Sequence, residues 1–144
     1  MILLDTDHVT VLFFPEDSRH AALTARIAAT RRESLAIPIV ALEEQFRGWS
    51  AYINRHADVE KQVPGYDRLA KLMDFMRHWE IARFDEAAAA AFKQLRRQKV
   101  RIGTNDLKIA AIALVQNALL ISANLRDYRK VPGLRVENWL EPAR

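Results

Sequence analysis

Ile2-Leu3-Leu4-Asp5-Thr6-Asp7-His8-Val9 stands at the start of the chain, and its reading decides the architecture. Three consecutive apolar residues without alternation read as a strand buried on both faces. An acid, Asp5, follows where that strand would leave its sheet. Asp7 suits the N-cap of a short helix through Val9, Leu12 and Phe13, stopped at Pro15. The same alternation recurs outward from this segment. Leu35–Val40 reads as a second buried strand, its end placed near Ile37 by Pro38. Ile81–Phe84 is a third, Ala118–Ser122 a fourth, and Leu134–Val136 a fifth, after the turn Val131-Pro132-Gly133.

Helical spacing fills the intervals. Ser18 begins a helix with Ala22, Leu23, Ile27 and Ala28 on one face and Arg19, Arg26, Arg31 and Arg32 elsewhere. Helices are also expected over Ala41–Tyr52 and within Asp58–Glu80, where Leu69, Leu72, Met73 and Met76 fall at helical spacing. Asp85 caps an alanine-rich helix, Ala87–Val100, and after the break at Gly103-Thr104 comes the apolar helix Asn105–Asn117. Short apolar strands alternating with helices imply an α/β fold. The expected form is a three-layer α/β/α sandwich with a central, mostly parallel sheet and right-handed crossovers.

With 144 residues the chain is expected to form one domain, residues 1–144. Cysteine is absent, which excludes disulfides, thiolate metal sites and a cysteine nucleophile. The start shows no signal-peptide pattern. The longest apolar run, Ile109–Val115, is far short of the roughly 18 residues of a membrane span, so a cytoplasmic protein with no membrane partner is expected. Lys and Arg number 22 against 18 Asp and Glu, a net charge of +4 compatible with an anionic partner.

Much chemistry is missing. His8, His20, His56 and His78 include no pair at i, i+4, so a histidine zinc site is not expected. Neither a nucleophile elbow nor a glycine-rich phosphate loop is present. Carboxylates remain. In an open parallel sheet, sites form at the carboxyl ends of the strands. Asp5 ends the first strand, and Glu43 and Glu44 lie in the helix entered from the second. Asp106 falls in the first turn of the apolar helix, and Asp127 in the loop after the fourth strand. Taken singly, each has an ordinary role as a cap, a first-turn acid or a surface acid. Together they occupy matching topological positions. Converging carboxylates repel unless a cation neutralises them, and an all-oxygen set selects Mg²⁺ or Mn²⁺. Such a site activates water and clamps a phosphoryl oxygen.

Several segments together resemble the PIN-domain ribonucleases, and most closely the VapC toxins of VapBC toxin–antitoxin modules. They are Leu3-Leu4-Asp5-Thr6-Asp7, Glu44-Gln45-Phe46-Arg47-Gly48, Gly103-Thr104-Asn105-Asp106-Leu107 and Leu120-Ile121-Ser122-Ala123-Asn124-Leu125-Arg126-Asp127-Tyr128. Val131-Pro132-Gly133-Leu134 and Val136-Glu137-Asn138-Trp139 complete the pattern in the family's order. The resemblance implies a metal-dependent endoribonuclease whose four acids are Asp5, Glu44, Asp106 and Asp127. The family's acid lies four residues before the glycine, which selects Glu44 over Glu43. Asp5 and Asp106 would be the principal metal ligands, with Glu44 and Asp127 completing the site directly or through water. Asn124 would support it by hydrogen bonds, and Ser122 stands where a threonine is common. Tyr128 replaces a frequent phenylalanine with no expected catalytic consequence. The resemblance also implies a VapB-type antitoxin whose helix lies in a groove and blocks the site, and a homodimer is expected.

Basic residues flank two of the acids. Arg97, Lys99 and Arg101 precede Asp106, and Arg126 precedes Asp127; these are candidates for holding an RNA backbone. A solvated helix face is the ordinary reading of such a run. No aromatic RNA-recognition motif signals base stacking. Phe46, Trp49 and Tyr52, with Phe75 and Trp79, suit core or dimer packing. Three alternatives stand beside the nuclease. Asp5-Thr6-Asp7 after a strand also fits a HAD-like phosphatase, although the order of the later elements does not. A receiver-like phospho-acceptor would use Asp5, Asp7, Asp85 and Ser122. A PIN domain that binds RNA without cutting it is the third.

Overall fold

The apolar triplet Ile2–Leu4 forms strand β1, and all three side chains are buried. The computed structural model describes residues 1–30 and 33–141. Arg31 and Arg32, placed by sequence on the polar side of the second helix, lie outside the described residues. After β1 come α1 (Thr6–Phe13), α2 (His20–Ala28), β2 (Leu35–Pro38), α3 (Ile39–Asn54) and α4 (Val59–Met76). Then follow β3 (Glu80–Ala82), α5 (Glu86–Arg97), α6 (Thr104–Val115), β4 (Leu119–Ile121), α7 (Leu125–Tyr128) and β5 (Arg135–Glu137).

The five strands form one sheet in the order β3-β2-β1-β4-β5. Every neighbouring pair is parallel. Leu3 pairs with Ala36 on one side and Leu120 on the other, so β1 is the central strand. Helices flank the sheet, as the alternation of elements implies. The core is built from Leu3, Leu4, Ala36, Ile37, Leu120 and Ile121, together with Leu107 and Ile109–Ala113 of α6. α6 is buried around most of its circumference, which explains its nearly unbroken apolar sequence.

The strand order locates the functional edge. From β1 the chain builds outward through β2 and β3, then returns across the sheet to place β4 on the other side of β1. The topological switch point therefore lies between β1 and β4, where open α/β sheets bind their ligands beyond the carboxyl ends of the strands.

Several boundaries differ from the sequence expectation. Asp5, not Asp7, is the N-cap of α1: its extended backbone leaves β1 and its carboxylate accepts the Thr6 N–H. Ile39 and Val40 begin α3 rather than ending β2, because Pro38 closes the strand and takes the N-cap position. In α2, Leu23 is buried and Ile27 half-buried, but Ala22 and Ala28 are exposed, and the helix starts at His20 rather than Ser18. Gly103 occupies the N-cap of α6 without a side-chain cap, displacing Thr104 and Asn105 from that role. Asp127 sits in α7, a four-residue helix, rather than in a loop. Asp85 caps α5 as expected, its Oδ1 accepting the Ala88 N–H at 2.9 Å.

α3 and α4 pack closely at Gly65, where an added Cβ would stand 2.6 Å from Ile53 Cγ1 and 2.9 Å from Tyr52 Cδ1. Gly65→Ala should therefore lower stability by about 1–3 kcal/mol despite alanine's better helix propensity. Urea unfolding of the two proteins checks this, and a stabilised variant would mean the helices separate without cost.

Candidate active site

Two residues at the switch point are buried and polar, Asp5 and Ser122, exposed 5% and 0%. Each is the first residue beyond its strand, β1 and β4. The Ser122 hydroxyl donates to Asp5 Oδ2 at 2.7 Å and accepts the Asn124 N–H at 3.0 Å. Thr6 N–H donates to the other Asp5 oxygen at 2.8 Å. Asp5 is thus held by both central strands.

A second chain of bonds braces this edge. Trp139 N–H donates to His8 Nε2 at 3.1 Å, so the ring proton lies on Nδ1 and is donated to Asp7 Oδ1 at 2.6 Å. Asp7 Oδ2 in turn accepts the Ala123 N–H at 2.8 Å. His8 is fully buried. Asp7 thereby holds the β4–α7 connection, a positioning role that sequence reasoning missed by treating Asp7 as a cap.

The remaining acids approach from other elements. Asp106 lies in the first turn of α6 and Asp127 in α7. The Asn124 amide bridges them, donating to Asp106 Oδ2 at 3.3 Å and Asp127 Oδ2 at 3.2 Å. The Tyr128 hydroxyl donates to Asp106 Oδ1 at 3.3 Å. Glu44, on α3, accepts from the Thr6 hydroxyl at 3.0 Å. Its neighbour Glu43 turns to Arg47 on the exposed side of the helix. Thr6 was not singled out from sequence, and Tyr128 was expected to have no catalytic consequence, yet its hydroxyl, which a phenylalanine lacks, bonds Asp106. Their partners lie 38 and 22 residues away, beyond any local pattern.

The electrostatics follow from this enclosure. Burial pushes Asp5 up to about 7, with the Asp7 and Asp106 charges adding to it and the Ser122 and Thr6 hydrogen bonds opposing. Burial also raises Glu44 and Asp106, reinforced for Glu44 by Asp106 and for Asp106 by Asp127 and Asp7. Asp7 is lowered despite its burial, because the hydrogen bonds it accepts from the His8 ring and the Ala123 N–H outweigh it. Tyr128 is raised by burial and by the neighbouring Asp5 and Asp106 charges, so it remains a hydroxyl donor.

These acids supply an oxygen-only donor set around a half-buried, electrically unfavourable crevice, which is the chemistry a hard divalent cation fits. Among the described residues no three His, Asp or Glu side chains are gathered closely enough to grip one ion outright.

A basic cleft of about 590 Å³ opens beside Asp127, lined by Arg96, Lys99, Arg101 and Gly103 over Val100, Ile102 and Leu107. Two RNA-contact candidates, Lys99 and Arg101, are here. Arg97 instead donates to Gln94 at 3.0 Å, and Arg96 lines the cleft with its guanidinium over the Phe92 ring. Lys99 adopts a left-handed φ of 61°, turning the chain out of α5. Arg126 is exposed in α7, and Lys130 stands 3.5 Å from Asp127.

An all-parallel sheet with several acids at its switch point defines an α/β domain with an acidic crevice. The PIN domain family model matches residues 2–134, and the chain belongs to that family. "Ribonuclease VapC2" of Rickettsia felis is 34% identical over 85 residues, 56% of this chain and 63% of that protein. "tRNA(fMet)-specific endonuclease VapC" of Salmonella typhimurium is 31% identical over 84 residues, 56% of this chain and 64% of its own. The matched stretches thus span less than two thirds of these relatives. VapBC-1 from nontypeable Haemophilus influenzae superposes with a TM-score of 0.75 at 21% identity, covering 98% of this chain and 100% of that one. VapBC2 from Rickettsia felis, bound to a promoter DNA fragment, gives 0.72 at 24% identity, covering 96% and 99%. Membership of the PIN family sets aside the HAD-like and receiver-like alternatives. Asp85, which a receiver would need at the site, is committed to capping α5.

Asp5 offers a direct test of the crevice. Its folded-state pKa lies above its ordinary value, so ionising it opposes folding: the cost is absent below about pH 4, grows through pH 7 and is complete above it. In EDTA at pH 8, Asp5→Asn should be more stable than wild type by up to roughly 4 kcal/mol. The difference should vanish near pH 4. Parallel stability curves across that range, measured by urea unfolding, would show that the carboxylate is not strained.

Proposed function

We propose that this chain is a Mg²⁺- or Mn²⁺-dependent endoribonuclease and the toxin of a VapBC-type module. The observation that carries the reading is the hydrogen-bond network that ties Asp5, Asp106 and Asp127 through Ser122 and Asn124, and Glu44 through Thr6, at the carboxyl edge of the sheet, with Asp5, Glu44 and Asp106 raised by burial. Their relatives' names, ribonuclease and tRNA(fMet)-specific endonuclease, support it.

In this reading Asp5 and Asp106 hold the cation, and Glu44 and Asp127 complete its surroundings. A bound divalent ion would stabilise charge on a phosphoryl oxygen and lower the pKa of a water. Ser122 fixes the Asp5 carboxylate, and Asn124 keeps Asp106 and Asp127 a set distance apart. Tyr128 holds Asp106 from behind. Arg96, Lys99 and Arg101 offer the charge that positions an RNA backbone beside Asp127.

The partner is a VapB-type antitoxin. Its berth is a groove of about 420 Å³ with Phe14, Trp49 and Tyr52 on its apolar side and Thr6 and Glu44 at the catalytic edge. A segment seated there reaches the acids directly. The solved relatives are VapBC complexes, which supports such a partner. A homodimer is also proposed, with Val59, Val63, Tyr66 and Met73 exposed along α4 as an apolar face available for it. No helix among the described residues is long and apolar enough to cross a membrane. We place the protein in the cytoplasm as a single nuclease domain.

Purified protein should cut labelled RNA with Mg²⁺ or Mn²⁺, and EDTA should stop it. Asp106→Asn should lower cleavage at least about 100-fold while circular dichroism shows an unchanged fold. RNA binding without any cleavage at millimolar Mn²⁺ would favour the non-cutting alternative. Lys99→Ala should weaken RNA binding for all sequences and flatten the slope of log affinity against log salt by about 0.7.

A further inference from the structure

The N-terminal turn of α6 separates two clefts. Gly103 and Leu107 face the basic cleft described above. Asn105 and Lys108 face a second cleft of about 280 Å³. At about 100° per residue, Asp106 falls between Gly103 and Asn105 on the helix surface. Thr104 lies on the other arc between the two clefts, and a strand that crosses the turn on the Asp106 side passes from the basic cleft to the second one.

The second cleft differs in character. Its floor is apolar, formed by Ile39, Val40 and Phe84. Its rim is polar, with the Glu43–Arg47 pair on α3 facing Asn105 and Lys108 on α6. Its two walls are the helices that carry Glu44 and Asp106, with Glu43 and Asn105 one position before each of these acids. Ile39 keeps 37% exposure, a large apolar side chain left open beside a charged centre. An apolar floor with an aromatic ring and polar groups around it suits a flat heterocycle with hydrogen-bonding edges. Single-stranded RNA is read by stacking splayed bases on such surfaces and bonding their edges. An amide both donates and accepts, so Asn105 can pair with a base edge in two bonds.

We propose that the cleft between α3 and α6 seats the unstacked base next to the scissile phosphate, with Asn105 reading its edge. This rests on the ribonuclease reading, and it adds a site for base preference that no motif in the sequence signals. The basic cleft then supplies sequence-independent grip, and the α3–α6 cleft supplies choice.

The test uses the full chain and fluorescein-labelled hexamers of A, C and U in EDTA, read by anisotropy, so that binding is separated from cutting. Wild type should rank the three by about fivefold or more. Asn105→Ala should bring them within about twofold of one another. Phe84→Leu, which keeps the apolar floor but removes the ring, should narrow the ranking as well. Lys99→Ala should weaken all three and leave the ranking in place. Melting curves confirm that each variant is folded. With Mn²⁺ and a random-sequence RNA, the cuts that remain in Asn105→Ala should lose the base preference at one position beside the break.

Wild type binding all three hexamers alike, or a ranking that survives both Asn105→Ala and Phe84→Leu, overturns the assignment of the cleft. If cleavage continues in those cases, the nuclease reading stands alone. If wild type ranks the hexamers, loses the ranking in both variants and cuts nothing with Mn²⁺, the cleft stands as a base-binding site and the nuclease reading falls.

Discussion

The hydrogen bond from Ser122 to Asp5 is the point on which the site turns. It joins the carboxyl ends of the two strands that meet at the switch point, and it lies in the core. A carboxylate so placed is expensive to ionise, and one strong donor limits that cost without removing it. Because the same hydroxyl accepts from Asn124, it also sets the start of α7. From there the Asn124 amide reaches both Asp106 and Asp127. One buried serine therefore links three of the four acids, and the fourth is tied to the same corner through Thr6.

The strained ionisation of Asp5, Glu44 and Asp106 is the counterpart of this rigidity. Side chains free to turn into water would relieve their repulsion and lose their common aim. Burial on the sheet edge denies them that escape, while the basic cleft lies to one side, beside Asp127. The arrangement leaves a deficit of positive charge at the crevice, and a hard cation is the natural means of meeting it.

Much of this was legible in the chain. Unalternating triplets such as Ile2–Leu4 and Leu119–Ile121 can be satisfied only by burial on both faces, which forces a parallel, helix-covered sheet. Asp85 announced its helix because an acid before a run of alanines has few other uses. What escaped was set by geometry across the fold. Asp5 and Asp7 are equally good caps in isolation, and only the end of β1 decides between them. Ile39 and Val40 continue an apolar run, so periodicity cannot mark where strand becomes helix. Arg96 and Arg97 look alike until the helix turns one into the cleft and the other toward Gln94. The bond between His8 and Trp139 spans 131 residues and leaves no local trace. The acids themselves were read from their topological positions and a family pattern, and in the structure Ser122 holds Asp5 while the Asn124 amide joins Asp106 and Asp127.

That long-range bond has a consequence for how the protein is made. β1 emerges first, yet β4, its partner across the switch point, comes more than a hundred residues later, and Trp139 later still. Until then Asp5 has no serine beside it, and the brace through Asp7 has no anchor. Such distant pairings close slowly. A growing chain therefore carries Asp5 and Asp7 without their partners, and the acidic corner assembles only after β4 and Trp139 have emerged.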